Sequence, residues 1–253
     1  MTTVTWDGVA RGYIPAEPLT IDPSLARHEA RSADVDPVTF EVIRYALLNA
    51  NVEHGQTLQR LCVSPITMLT RDFQPSILTQ DGELVFLGPY LQYFSNAQSL
   101  TIKWILENRS ASPGIGPGDM FLSNDPYVGT PHQPDTIVAA PVFADNQLFC
   151  WVANVLHHSD VGGSVVGSFC VDAADIFTDP SALPPMRIVE GGRVRTDLEP
   201  GVPAAVATAG GGADGSAGGH IGQHSDRAQD RGPGPAIRRR RGQDRDEQGH
   251  RRG

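Results

Sequence analysis

Large apolar side chains are nearly absent from the last fifth of this sequence, where Ile221 and Ile237 alone remain beside small residues and valines. Residues 201–253 contain no Leu, Phe, Tyr, Trp, Met or Lys, yet hold 13 of the 27 glycines and 9 arginines against 6 acidic residues. Such a segment cannot offset the entropy of ordering its backbone, so a disordered tail is expected. Cysteine is also scarce. Cys62, Cys150 and Cys170 form neither a disulfide ladder nor a CxxC zinc pattern, and a reducing cytoplasm is the simplest setting. No run of 18 apolar residues exists and the N-terminus lacks the basic start and apolar block of a signal peptide, so no membrane is expected as a partner. The formal charge of −9 gives no reason to expect nucleic acid. Phosphate-binding glycine motifs (GxGxxG, GxxxxGK[ST]) and the GxSxG nucleophile elbow are missing too, so the chain shows no nucleotide loop of its own.

What is present falls into three parts. Residues 1–35 carry Pro, Gly and mixed charge without periodicity and read as an N-terminal extension. Residues 36–198 carry patterned sequence, and 199–253 form the tail. Asp36 can cap a helix whose first turn holds Pro37, with Val42, Ile43, Ala46, Leu47, Ala50, Leu58 and Leu61 as an apolar stripe expected to face the core. The period then changes to two. Ser76–Thr79 and Glu83–Leu87 flank Asp81-Gly82, a hairpin signal. A second helix is expected over about 95–107, with Ala97, Leu100, Trp104 and Ile105 on one face. Residues 110–118 read as a loop and Phe121-Leu122 as a short strand. Strands Thr136–Phe143 and Leu148–Leu156 are joined by the Ala144-Asp145-Asn146 turn. Helices alternating with antiparallel hairpins predict an α+β (mixed α/β) fold.

The chemistry concentrates between Asp125 and Asp160. His132 and Asp135 are three apart in Gly129-Thr-Pro-His132-Gln-Pro-Asp135, where two prolines restrict the backbone. The following hairpin ends in His157-His158-Ser-Asp160-Val-Gly-Gly, so its two mouths should be neighbours. Imidazole and carboxylate together suit Zn, Mn or Fe. Spacing alone leaves a second reading open, in which these histidines are satisfied core residues. Asp125, in Asn124-Asp125-Pro126, reads equally as a turn-capping carboxylate. Asp72, beside Arg71, is either half of a surface ion pair or a further ligand. Cys62 and Cys170 read as buried small apolar residues.

These segments also resemble a known family. Asp36-Pro-Val-Thr-Phe-Glu-Val-Ile-Arg44, Arg71-Asp72-Phe73, Asp81-Gly-Glu83, Asn124-Asp125-Pro126, Gly129-Thr-Pro-His132-Gln-Pro-Asp135 and Val155-Leu-His157-His158-Ser-Asp160-Val-Gly-Gly163 are similar, in order and spacing, to the N-terminal part of hydantoinase B/oxoprolinase proteins. The resemblance implies a B-type subunit of an ATP-dependent enzyme that opens cyclic amides (N-methylhydantoinase, 5-oxoprolinase) or carboxylates ketones (acetone, acetophenone). It implies an A-type ATP-binding partner subunit that phosphorylates a small-molecule substrate, and a hetero-oligomer at full length. It implies a divalent metal, Mn or Zn, held by Asp72, His132, Asp135 and His157, with His158, Asp160 and Asp125 as supporting or substrate-facing groups. Asp72 departs from the Glu found in the carboxylases, though both are hard oxygen donors.

The resemblance stops near Leu198, where the composition breaks. Gly242–Arg252 can be encoded so that a one-base shift reads Ala-Lys-Thr-Val-Met-Asn-Lys-Val-Ile-Ala, an ordinary amphipathic helix. A frameshifted tail is therefore expected, rather than a genuine basic arm built around Arg238–Arg241. A chain shortened in this way is expected to be inactive by itself.

Overall fold

The computed structural model describes residues 12–29, 34–62, 64–176 and 178–198. The expectations for the tail and for the first eleven residues lie outside these described residues. The element order is helix α1 (Pro37–Leu61), strands β1 (Phe73–Thr79) and β2 (Leu84–Leu87), helix α2 (Ser95–Arg109), then strands β3 (Met120–Ser123), β4 (Asp135–Ala144), β5 (Gln147–His157), β6 (Met186–Glu190) and β7 (Arg193–Val194). The strands form one seven-stranded antiparallel sheet in the order β2-β1-β5-β4-β3-β6-β7. The α+β expectation is met.

Local chemistry accounts for the turns. Asp36 caps α1, accepting hydrogen bonds from the Val38 and Thr39 amides at 3.0 and 3.1 Å. Gly82 takes φ +81° in the β1–β2 turn, a conformation that costs an L side chain. Asp145 and Asn146 both take positive φ at the β4–β5 turn, the geometry that matches the twist of a hairpin.

The two helices cover opposite faces of the sheet. Leu78 on β1, Phe121 on β3 and Trp151 and Ala153 on β5 pack under Ile102, Ile105 and Leu106 of α2. Phe73, Leu122, Val138 and Leu156, which point the other way, pack with Leu58 and Cys62 from the end of α1. Between Tyr13 and His28 the chain also joins the domain. Leu25 lies in the α2-side core, and the Tyr13 amide donates to the Tyr127 carbonyl at 2.6 Å.

Three expectations are corrected. The α1 stripe mostly misses the core: Val42, Ile43 and Leu47 are 64, 52 and 37% exposed, Leu58 alone of the stripe packs against the sheet, and only Asn51 and Gly55 of α1 are buried. The helix first meets the sheet near Asn51, whose side-chain amide donates to the Pro75 carbonyl. The buried face of α2 is Ala97, Gln98, Thr101, Ile102, Ile105 and Leu106, with Leu100 and Trp104 on its flank. Counting only apolar residues passes over Gln98, whose amide is buried because it donates to the Gln74 carbonyl at 2.6 Å. Cys62 and Cys170 are free thiols only half-buried, Cys62 at the edge of the α1-side core.

Candidate metal centre

Three neighbouring strands deliver the cluster. In the β4–β5 ladder Asp135 is paired with His157, and the His157 amide donates to the Asp72 carbonyl at 3.1 Å, just before β1. Asp72, Asp135 and His157 therefore sit side by side at one sheet end, on the face that α2 covers. Arg71, with φ 59° and ψ 36°, makes the left-handed bend that ends a π-helical turn (Ile66–Thr70) and presents Asp72. His132 arrives from the loop before β4, where the Asp135 amide donates back to the His132 carbonyl at 3.1 Å. That loop is fastened by Asn124. Its amide donates to the Gln133 and Ser181 carbonyls, and its Oδ1 accepts from the Leu183 amide at 2.6 Å.

Distances are short throughout. His157 Nδ1 lies 3.0 Å from Asp135 Oδ1 and 3.7 Å from Asp72 Oδ2, and His132 Nδ1 lies 3.4 Å from Asp135 Oδ2. The His132 and His157 rings meet edge-on at 5.0 Å. Ligand-type atoms of His132, Asp135 and His157 lie within 4.8 Å of one another, close enough to hold one metal ion. A fit to such a group is visible in what lacks a partner. His132 Nδ1, Asp135 Oδ2 and Asp72 Oδ1 are all buried with no hydrogen bond, although Asp135 is wholly inaccessible. Buried lone pairs left unpaired are costly, and converging ones are what a cation would satisfy. The donor set is mixed N/O, a type that suits Zn, Mn or Fe.

The electrostatics agree with coupling across the cluster. The Asp135 hydrogen bond, opposed by burial and helped by the Asp135 and Asp72 charges, raises the His157 pKa. Burial raises that of Asp72, with His157 opposing. Burial, then His157, pushes His158 down to about 4, so this imidazole is neutral. His158 is buried with an unpartnered Nε2, and its amide donates to the Pro134 carbonyl at 2.9 Å.

Asp160 and Asp125 are placed differently. The Asp160 carboxylate accepts from the Gly162 and Gly167 amides and from Ser168 Oγ, which organises the 160–168 loop and lowers its pKa. Asp125 accepts from the Tyr127 amide at 2.9 Å in its own turn. Sequence reasoning passed over three hydroxyls. Ser64 Oγ and Thr67 Oγ1 both donate to the His157 carbonyl, at 2.8 and 2.7 Å, fixing its backbone. The Tyr93 phenol lies beside Asp135. Burial first, then the Asp135 and Asp72 charges and a hydrogen bond to Asp135, raise its pKa. Nothing in the spacing around Ser64 shows that its hydroxyl reaches β5.

Fold and cluster together define an α+β domain with a carboxylate–imidazole site at the end of an antiparallel sheet. Residues 36–206 match the model of the hydantoinase B/oxoprolinase family, and the chain belongs to that family. It is 30% identical over 179 residues to 5-oxoprolinase 1 of Arabidopsis thaliana, covering 71% of this chain and 14% of the relative. It is 31% identical over 178 residues to the acetophenone carboxylase delta subunit of Aromatoleum aromaticum, covering 70% and 25%. Among solved structures it resembles the ATP-dependent caprolactamase from Pseudomonas jessenii, with a TM-score of 0.65 at 24% identity over 77% of this chain and 35% of that one. The chain thus spans about a third or less of the length of each of these three relatives.

Proposed function

We propose that this chain carries the metal-binding part of a B-type subunit of an ATP-dependent cyclic-amide hydrolase, of the hydantoinase or 5-oxoprolinase kind. Asp72, His132, Asp135 and His157 would hold one divalent cation, Mn or Zn. The observation that supports this most is the convergence of buried, unpartnered carboxylate and imidazole atoms at one sheet end. A cation there would supply Lewis-acid stabilisation of oxyanion charge, or water of lowered pKa.

The protein's own groups divide the remaining work. Asp135 orients the His157 imidazole through Nδ1, and Ser64 and Thr67 hold the His157 backbone. His158, neutral and buried behind the cluster, keeps a second positive charge away from it. Asp160 accepts from the Gly162 amide and ties down a turn in which Gly162, with nothing within 4 Å of where a Cβ would stand, would leave room for a substrate to approach. Asp125 holds the turn that leads to His132. An A-type subunit would use ATP to phosphorylate the small-molecule substrate, because an amide is a poor electrophile until activated. The 253-residue chain by itself would bind metal without turnover.

A ketone carboxylase subunit is the second reading, supported by the likeness to the acetophenone carboxylase subunit. One experiment tests the shared core of both: metal content of the wild type against His132→Ala and Asp135→Ala after equilibration with Mn or Zn. Equal content in all three would leave a non-catalytic interaction module as the surviving reading. The inactivity of the chain is tested by adding ATP, an A-type subunit and 5-oxoproline, a hydantoin or acetone. Turnover with the 253-residue chain would remove the claim that it is inactive by itself.

A further inference from the structure

Helix α1 crosses the sheet strand by strand and then runs out of sheet. Leu58, near its C-terminal end, packs with Phe73 of β1, Val138 of β4 and Leu156 of β5. One turn earlier, His54 Nε2 lies 3.4 Å from the side-chain amide of Asn154 on β5. Asn51 donates to the Pro75 carbonyl of β1 at 3.4 Å, and the helix then reaches β2. β2 is an edge strand, and among the described residues no strand pairs with its outer side. The turns of α1 before Leu47 lie past that edge, roughly 15 Å of helix or up to three strand spacings. Phe40 and Leu47 stand in the same line along the helix as Asn51 and Leu58, the side that faces the sheet. They are nevertheless 55 and 37% exposed. The underside of the overhang is therefore built to lie on strands that the described residues do not supply.

The edge below it is open to pairing. β2 reads Leu84-Val85-Phe86-Leu87, wholly apolar, with Leu84 and Val85 39 and 49% exposed. It has neither the Lys nor the Pro that keeps an edge strand from joining another. The charges nearby are already matched: Glu83 pairs with Lys103, and Glu41 with Arg44 on the overhang. The chain carries a net charge of −9, which opposes self-association over its surface at large but has no unpaired representative on β2. We infer that this edge is where two copies of the chain meet. β2 pairs antiparallel with β2 of a second copy about a two-fold axis, and the two α1 overhangs roof the joined edges from the same face. The occupant must bring free backbone N–H and C=O groups together with an apolar face under α1. A second β2 brings both, and two-fold symmetry lets one patch serve both copies. Phe40, Leu47, Leu84 and Val85 expose roughly 300 Å² on each copy, which with the backbone ladder puts the pair at the low end of specific interfaces, a reversible dimer. This inference stands apart from the metal-site reading.

The test is sedimentation equilibrium of the full chain over a concentration series, beside Val85→Lys, which charges the edge, and Phe40→Ser, which trims the overhang. Both residues are about half exposed, so both variants should fold, and thermal melts check that they do. The expected result is a reversible wild-type dimer whose association each variant weakens by about tenfold. Amide hydrogen exchange on the wild type needs no variant: exchange over Leu84–Leu87 should slow as concentration rises. A wild type that stays monomeric throughout the series would overturn the proposal. So would a dimer that both variants leave unchanged, since its contact would lie elsewhere. Slow exchange over Leu84–Leu87 in a monomer would overturn it too, by showing that another stretch of the same chain pairs with β2.

Discussion

His157 Nδ1 faces Asp135 Oδ1 at 3.0 Å across a ladder rung whose two backbones are already paired, so strand register itself builds this contact. The carboxylate is inaccessible and its second oxygen has no partner. Asp135→Asn keeps the shape and removes the charge. It should weaken Mn or Zn binding by about two orders of magnitude, as loss of a charged ligand or its orienting partner does. In the metal-free protein it should also lower the His157 pKa, because the Asp135 hydrogen bond is the first cause of its elevation. Calorimetry and NMR titration of the imidazole measure the two effects separately. Retained affinity in Asp135→Asn would exclude Asp135 as a ligand.

Metal affinity should depend on pH in a defined direction. The His157 and Asp72 pKa values are both raised, so each group holds its proton to higher pH than usual. A ligand must shed that proton to bind. Affinity should therefore fall as pH drops through the raised His157 value, by about tenfold per pH unit for each proton displaced. In the metal-free chain the same elevation acts on stability in the opposite sense. The protonated His157 contribution is present at low pH and is lost as pH rises through its folded value. Binding isotherms at several pH values, set beside metal-free melts, test both signs.

Two other histidines should dominate acid unfolding. Burial holds His54 and His158 down to about 4. The unfolded chain protonates them at higher pH than the folded one does, so their neutral forms stabilise the fold above about pH 6.5, and stability is lost as pH falls from there towards 4. His54 should account for about 2 kcal/mol at pH 5, on the order of 1.4 kcal/mol per pH unit. His54→Gln should flatten the acid limb of a denaturation-versus-pH curve by that amount. An unchanged limb would mean that His54 is solvated in the folded chain.

Gly129 tests how the His132 loop is seated. A Cβ there would stand 2.7 Å from the Ala97 carbonyl oxygen on α2, a backbone atom that cannot rotate away. Gly129→Ala must push the loop off α2. It should cost about 1–3 kcal/mol of stability, as overpacking does. Because His132 lies three residues on, metal affinity should fall too. Stability loss with wild-type metal affinity would show that the prolines alone position His132.

The nearness of His132, Asp135 and His157 is legible in the sequence, whereas spacing leaves Asp72 open between an ion pair and a ligand. Turn chemistry at Asp81-Gly82 and Asp145-Asn146 located the hairpins, and the β4–β5 hairpin length brought His132 and Asp135 next to His157. These are short-range signals, in which a few residues determine a local conformation. Ser64, Thr67 and Tyr93 escaped because their contacts with β4 and β5 span long stretches of sequence and leave no periodic trace. β6 and β7 escaped because Met186–Glu190 and Arg193–Val194 are brief and only partly buried, without the alternation that marks a half-covered strand. The α1 stripe misled for another reason. Periodicity shows that a helix has an apolar face, but not whether the described chain supplies something to cover it.

That last point can be measured on two isoleucines. Ile43 lies on the first turns of α1 and is 52% exposed, whereas Ile105 on α2 is fully buried against the sheet. The apolar pattern assigns both to a core. If the α1 stripe is uncovered in solution, Ile43→Ala removes side chain that was already in contact with water, and should change unfolding stability by no more than about 0.5 kcal/mol. Ile105→Ala should cost about 2–5 kcal/mol, since it opens a cavity between α2 and the sheet. Urea melts of the two variants under identical conditions give the comparison. A cost at Ile43 approaching that at Ile105 would mean that the first turns of α1 are buried in solution.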